Sequence, residues 1–182
     1  NKFKVDKNQY ENLPNKINIK GISSNYTQSN NLNKNNLNEW HRSHGNHSSN
    51  RFSNLKNINL TNISDLELTW RHEFKHKGGI QANPIVADGV IFMPSTTKSI
   101  IAINAIDGKK IWEYQTIAKP ALRGLIYKND KDPKIFFCDG KNLTSLFAKT
   151  GTKVVDFGDS GKIDLKNMCK ITPVIIKNKI II

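Results

Sequence analysis

No run in this chain approaches the roughly 20 consecutive apolar residues that a membrane-spanning helix requires. The sequence does not begin with Met, and no basic start leads into an apolar export core. Either an export signal has been removed or the first residues are missing. Cysteine is scarce: Cys138 and Cys169 admit one disulfide or two buried thiols, and buried thiols are the favoured reading. Arginine is scarce too. The formal net charge of +13 rests mostly on lysines spread along the chain, with no dense arginine cluster. A basic surface is therefore the only argument for nucleic acid as a partner, and no nucleic-acid role is expected. The abundance of Asn, Lys and Ile together is what an AT-rich genome produces without selection for binding.

Apolar residues are thin at the start as well. Residues 1–50 hold 14 Asn, and residues 1–38 read as a polar, loosely structured arm. Residues 39–182 carry the apolar runs and form the expected folded part. His41, His44 and His47 recur at three-residue intervals, which invites a metal reading. The Gly/Ser/Asn context, with Glu39 as the one acidic neighbour and no Cys nearby, favours an irregular loop instead. Further on, Ser64 with Glu67 fits a capping box. Leu66–Phe74 alternates apolar and polar residues as a strand does, with His72 and His76 facing solvent.

The organising stretch is Gly79–Tyr114. Short apolar runs at Ile85–Val86, Val90–Met93, Ile100–Ile103 and Ile111–Tyr114 are divided by Asp88-Gly89 and Asp107-Gly108. Asp-Gly between apolar runs favours tight hairpins, because both central residues of a type I′ turn need positive φ. The pattern returns: Arg123–Tyr127, Ile135–Cys138 before Asp139-Gly140, Leu143–Ala148, then Gly151 and Val154-Val155. Gly108 and Gly151 set a period of 43 residues, and Thr172-Pro173-Val174 reopens it as Pro84-Ile85-Val86 did. About four short strands per 40–50 residues is the signature of an all-β propeller. The chain then ends at Ile182 inside an expected strand, and an unpaired apolar edge is a liability that finished domains avoid. The expectation is a fragment holding two blades and the start of a third.

Trp40, Gly45, Arg51-Phe52-Ser53, Leu55, Ile58-Asn59, Asn62-Ile63, Leu66 and Trp70 resemble the opening signature of the pyrroloquinoline-quinone (PQQ) dehydrogenases. The likeness continues through Gln81, Pro84, Asp88-Gly89, Ala102–Ala105, Gly108-Lys109, Trp112, Arg123-Gly124-Leu125, Tyr127, Phe157-Gly158 and Gly161. The membrane glucose dehydrogenase branch looks most similar. The alcohol and methanol branch commonly has a vicinal Cys pair just before this Arg, where Pro120, Ala121 and Leu122 stand here. The resemblance implies an eight-bladed propeller with PQQ on its axis near Ca²⁺. It also implies oxidation of a sugar or alcohol, a quinone or cytochrome acceptor, and a periplasmic location, with attachment to the inner membrane left open. The catalytic Asp, the metal ligands and the Trp that stacks on PQQ would lie further along, so no catalytic or metal residue is assigned here. Cofactor contacts are assigned to Arg123, whose guanidinium offers a fixed fork to PQQ carboxylates or the ortho-quinone, and to Gln81 as a hydrogen-bonding residue. Lys170 falls where the family often has Thr, so either Lys170 pairs with a carboxylate or Thr172 is the contact. The same repeat also occurs in propeller scaffolds of this superfamily that bind no cofactor.

Overall fold

The structure, a computed structural model, describes residues 39–46, 49, 51–74, 82–121 and 124–182. Among these residues ten strands follow one another: β1 Ile85–Ala87, β2 Val90–Pro94, β3 Ser99–Asn104, β4 Lys110–Gln115, β5 Ile126–Lys128, β6 Lys134–Asp139, β7 Asn142–Phe147, β8 Lys162–Asp164, β9 Val174–Ile176 and β10 Lys179–Ile181. They form two four-stranded antiparallel meanders, β1-β2-β3-β4 and β5-β6-β7-β8, and a hairpin of β9 and β10. Innermost strands β1, β5 and β9 adjoin in that order. Three reversals within each meander and a fourth in the connector that follows mean that β1, β5 and β9 all start at the same end.

Turn chemistry explains the meanders. At Asp88-Gly89 both residues have positive φ, 50° and 72°, as the Asp-Gly pair predicts for type I′. The other Asp-Gly pairs differ. Only Gly108 and Gly140 are left-handed there, and β3–β4 carries a register shift at Ala102/Ile103 that accommodates the longer loop.

The sheets pack face to face. Ile85, Phe92, Ile100 and Ala102 of the first meet Tyr127, Ile135, Phe137 and Leu146 of the second in one buried cluster. The opposite face of the second sheet, with Ile126, Phe136 and Leu143, covers Ile175 of the hairpin. Strand period 2 makes this possible: Phe136 and Phe137 are neighbours in sequence yet serve different interfaces. Each such fully buried side chain contributes about 1.5–3 kcal/mol. Rings add specificity, with Phe92 lying 5.8 Å from Trp112 and 6.0 Å from Tyr127, centroid to centroid.

A tryptophan joins each repeat to the next. Trp112 Nε1 donates to the Ala148 carbonyl (2.9 Å), 36 residues on, and its ring covers Gly151, where a Cβ would come within 2.6 Å of it. Trp70 makes the same contact one repeat earlier, donating to Ala105 O (3.0 Å), 35 residues on, and covering Gly108. The close of each unit, Gly-Lys-Lys-Ile-Trp in the first, is thus a docking device between neighbouring units.

Several expectations need correction. Cys138 and Cys169 are not free thiols: they form a disulfide, with Cα atoms 5.5 Å apart, because the end of β6 packs against the segment before β9. The capping box is absent. Ile63–Asp65 is a 3₁₀ turn without a side-chain cap, and the local order comes from Asn59 and Asn62, whose Oδ1 atoms accept from Thr61 N (3.0 Å) and Asn59 N (2.9 Å). Leu66–Phe74 is not a strand; no described neighbour pairs with its backbone, and Trp70 anchors it through its side chain. His72 is half-buried rather than solvent-facing, with Nδ1 3.4 Å from Gly108 O. Val154-Val155 does not close the second sheet. The fourth strand is β8, reached after a turn through Asp156–Gly161, because Leu146 and Lys153 pair only as an isolated bridge. His47 and His76 lie outside the described residues.

Candidate cofactor end of the blades

The end at which β1, β5 and β9 begin is where all four expected cofactor contacts fall in sequence. Gln81 and Arg123 lie outside the described residues. Lys170 is exposed and makes no hydrogen bond or ion pair among them. Thr172 is half-buried beside the buried Pro173. The same short segment therefore presents Lys170 to solvent and Thr172 towards the protein, two residues before β9.

Three consecutive residues fasten this end. The Asp139 carboxylate is 1% exposed and accepts from Ala118 N (2.8 Å) and Ile117 N (3.0 Å). Those two amides belong to the connector from β4 that continues, through residue 121, towards Arg123. Thr116 Oγ1 donates to Ala118 O (2.7 Å) and tightens the same bend. On the other side of Asp139, Gly140 O accepts from Cys169 N (2.8 Å), and Cys138 is bonded to Cys169 itself. Cys138-Asp139-Gly140 thus holds both connectors that carry expected cofactor residues. Sequence reasoning took Asp139 for an ordinary turn residue. No sequence signal set it apart from the other Asp-Gly pairs; the strand bounds show that Gly140-Lys141, not Asp139-Gly140, forms the two-residue loop between β6 and β7.

The lead-in reaches this end from the other side. Trp40 bridges Val86 of β1, and Arg42 bridges Ile126 of β5, so one segment is stitched to two of the innermost strands. A turn follows, closed by Gly45 N to Arg42 O (2.9 Å), with Gly45 at φ 93° under the Trp40 ring. Ser43 O accepts from Asn83 Nδ2 (2.8 Å) just ahead of β1. Beside this turn lies an open cleft of about 700 Å³ lined by Trp40, Ser43, His44, Asn83 and Pro84, among others. His44 Nε2 is 3.1 Å from Arg51 Nη2.

At the opposite end the lead-in is pinned by polar contacts. Glu39 Oε1 accepts from Asp88 N (3.2 Å) while Oε2 lies 2.7 Å from His41 Nε2. The Tyr127 hydroxyl donates to Asp88, and His41 stacks near the Tyr127 ring. Burial, then the Asp88 carboxylate, pushes the Tyr127 phenol well above its ordinary pKa. Among the described residues no three of His, Cys, Asp and Glu gather as a metal site requires. The donors at the cofactor end fit an anionic group: among the described residues Lys170 has no counter-charge, and Arg42 Nε is buried without a hydrogen-bond partner.

Comparison with known proteins agrees with this architecture. The family model for the PQQ glucose/ethanol/alcohol dehydrogenase β-propeller domain matches residues 40–182. The chain is 32% identical over 102 residues to quinohemoprotein alcohol dehydrogenase ADH IIB of Pseudomonas putida, covering 50% of this chain and 14% of that protein. It is 28% identical over 127 residues to 1-butanol dehydrogenase (cytochrome c) of Thauera butanivorans, covering 65% of this chain and 18% of that protein. Among solved structures, a europium-containing methanol dehydrogenase aligns at TM-score 0.61 and 22% identity over 78% of this chain and 26% of its own. The quinohemoprotein alcohol dehydrogenase of Comamonas testosteroni aligns at TM-score 0.60 and 22% identity over 78% of this chain and 22% of its own. The chain thus spans 14% and 18% of the length of the two relatives above, and the fold it shares with the solved structures is the β-propeller. With the family model matched across the lead-in and both four-stranded units, this chain belongs to the PQQ-dependent glucose/ethanol/alcohol dehydrogenase β-propeller family.

Proposed function

We propose that the natural protein carrying this chain is a quinoprotein dehydrogenase that oxidises an alcohol or sugar hydroxyl and passes electrons to a cytochrome or quinone. The observation that carries this reading is the family match across residues 40–182, which includes the lead-in as well as the repeats. An alcohol substrate is favoured by the relatives' names, and 1-butanol dehydrogenase (cytochrome c) favours a cytochrome acceptor. The glucose reading rests on Arg123–Tyr127 and on Pro120-Ala121-Leu122 in place of a cysteine pair.

Bound PQQ would supply the two-electron redox centre. The residues of this chain would bind and orient it. Arg123 would offer two parallel donors to a carboxylate or to the quinone oxygens. Gln81 would add a neutral hydrogen bond, and Lys170 or Thr172 would supply a third contact from the connector that the disulfide restrains. Ca²⁺ would be held by residues outside this chain. The disulfide favours an oxidising compartment and so the periplasm.

The test is reconstitution of the natural gene product with PQQ and Ca²⁺, followed by dye reduction with primary alcohols and aldose sugars. Activity with alcohols alone selects the alcohol branch, and activity with glucose selects the other. Neither activity nor PQQ binding would sink the proposal. That last outcome would favour a scaffold, a second reading supported by the Trp70 and Trp112 docking contacts, which build blades whether or not a cofactor is present.

A further inference from the structure

Arg42 is a second arginine at the cofactor end, and no family motif above assigns it a role. Its backbone bridges Ile126, three residues after Arg123 in sequence. The residue before it, His41, accepts at its carbonyl from Tyr127 N (2.9 Å). The residue after it, Ser43, accepts from Asn83, two residues after Gln81 in sequence. The turn that begins at Arg42 therefore sits between the beginnings of β1 and β5.

The guanidinium there has one unsatisfied donor. Its Nε is buried and without a hydrogen-bond partner, and no carboxylate pairs with it among the described residues. The acidic residue of the same segment, Glu39, is committed to His41 and to the Asp88 amide. Arginine stays charged at any physiological pH, so neutralisation cannot relieve the site. A buried charged donor left unpaired is costly, and the mismatch calls for an anionic acceptor.

We propose that Arg42 donates to a carboxylate of bound PQQ, as a cofactor-binding residue supplied by the lead-in and not by a blade. This rests on the PQQ reading above, and PQQ carries three carboxylates for such contacts. It would also give the lead-in a function: it would join cofactor binding to the segment stitched across the first two blades.

The experiment titrates PQQ into the metal-loaded apo form of the natural gene product, following tryptophan fluorescence quenching, for wild type, Arg42→Met and Arg42→Lys. Expected are a 10- to 100-fold weaker affinity for Arg42→Met and a smaller loss for Arg42→Lys, with thermal midpoints of the apo forms unchanged. Methylguanidinium in the buffer should partly restore binding to Arg42→Ala. The affinity of Arg42→Met should also depend less steeply on salt than that of wild type. Wild-type affinity in a stable Arg42→Met protein would overturn the proposal. If Arg42→Met does not fold, Arg42→Lys and the methylguanidinium rescue decide: full affinity in Arg42→Lys with no rescue of Arg42→Ala overturns it. A wild-type protein that binds no PQQ overturns the proposal by removing its premise, and is told apart from a failure of Arg42 alone because it appears before any substitution.

Discussion

At the scale of single residues, two contacts make sharp predictions. Gly151 and Gly89 both have positive φ, 71° and 72°. A Cβ on Gly151 would meet the Trp112 ring at 2.6 Å, whereas one on Gly89 would meet nothing within 4 Å. Gly89→Ala should therefore cost about 1–2 kcal/mol from backbone strain alone, and Gly151→Ala about 2–5 kcal/mol once overpacking is added. Urea unfolding of the two variants isolates the docking contact from the shared strain. Tyr127 gives a pH prediction. Its phenol pKa is raised in the fold above the ordinary value of 10.0, first by burial and then by the Asp88 hydrogen bond. A raised pKa means that the neutral form is favoured by folding. The stability that follows is fully present below about pH 10 and is lost as pH rises through the shifted value. Tyr127→Phe should lose about 1.5–3 kcal/mol at pH 8, and the gap between variant and wild type should narrow above pH 10 in the same unfolding assay.

At the scale of elements, the end of β6 is the part to test. Cys138-Asp139-Gly140 ties down the connector into the second sheet and the connector out of it. Asp139→Asn keeps the size but turns an NH₂ group towards one of two backbone donors. It should cost about 1–3 kcal/mol, and hydrogen exchange should quicken at the Ile117 and Ala118 amides more than elsewhere in β4 or β7. Reduction of the disulfide acts on the other connector. The bridge spans 31 residues, and its loss should lower stability by about 2–4 kcal/mol, read as a shift of the denaturant midpoint with and without dithiothreitol.

At the scale of the molecule, the surface carries a series of exposed apolar side chains. Leu60 is 95% exposed and Leu68 73%, and Phe52, Leu55, Ile58, Ile63 and Leu66 of the same lead-in are exposed as well. Val155, one period after Trp112, is 66% exposed. Exposed apolar side chains concentrated in one segment favour association. The isolated 182-residue chain is expected to self-associate and to bind a hydrophobic dye, measured by light scattering on a sizing column and by dye fluorescence. A monomer that melts cooperatively and binds no dye would contradict this. The net charge of +13 is spread as single lysines, many in local pairs such as Lys110–Glu113 (2.7 Å) and Lys128–Asp130 (2.9 Å). Retention on a polyanion should accordingly disappear at modest salt.

The sequence by itself determined the first three strands of each four-stranded unit, the period and the family. Those properties are local or repetitive: apolar alternation marks strands, Asp88-Gly89 demands one turn type, and a 43-residue recurrence implies stacked units whatever their contacts. The candidate site was legible only as positions, Gln81, Arg123, Lys170 and Thr172, carried by resemblance. What the tertiary structure decided depends on distance between residues far apart in the chain. Cys138 and Cys169 had no sequence cue to pair, since spacing alone does not set a Cα separation. Asp139 looked like its neighbour in type, Asp88, yet one is buried beneath a connector and the other caps an exposed turn. Leu66–Phe74 had a strand's alternation, but a strand exists only where another backbone takes its hydrogen bonds, and there the side chains of Trp70 and His72 make the contacts instead. Arg42 was one basic residue among 28 until folding set it between β1 and β5 with a buried donor unpaired, a property of its surroundings that no local pattern encodes.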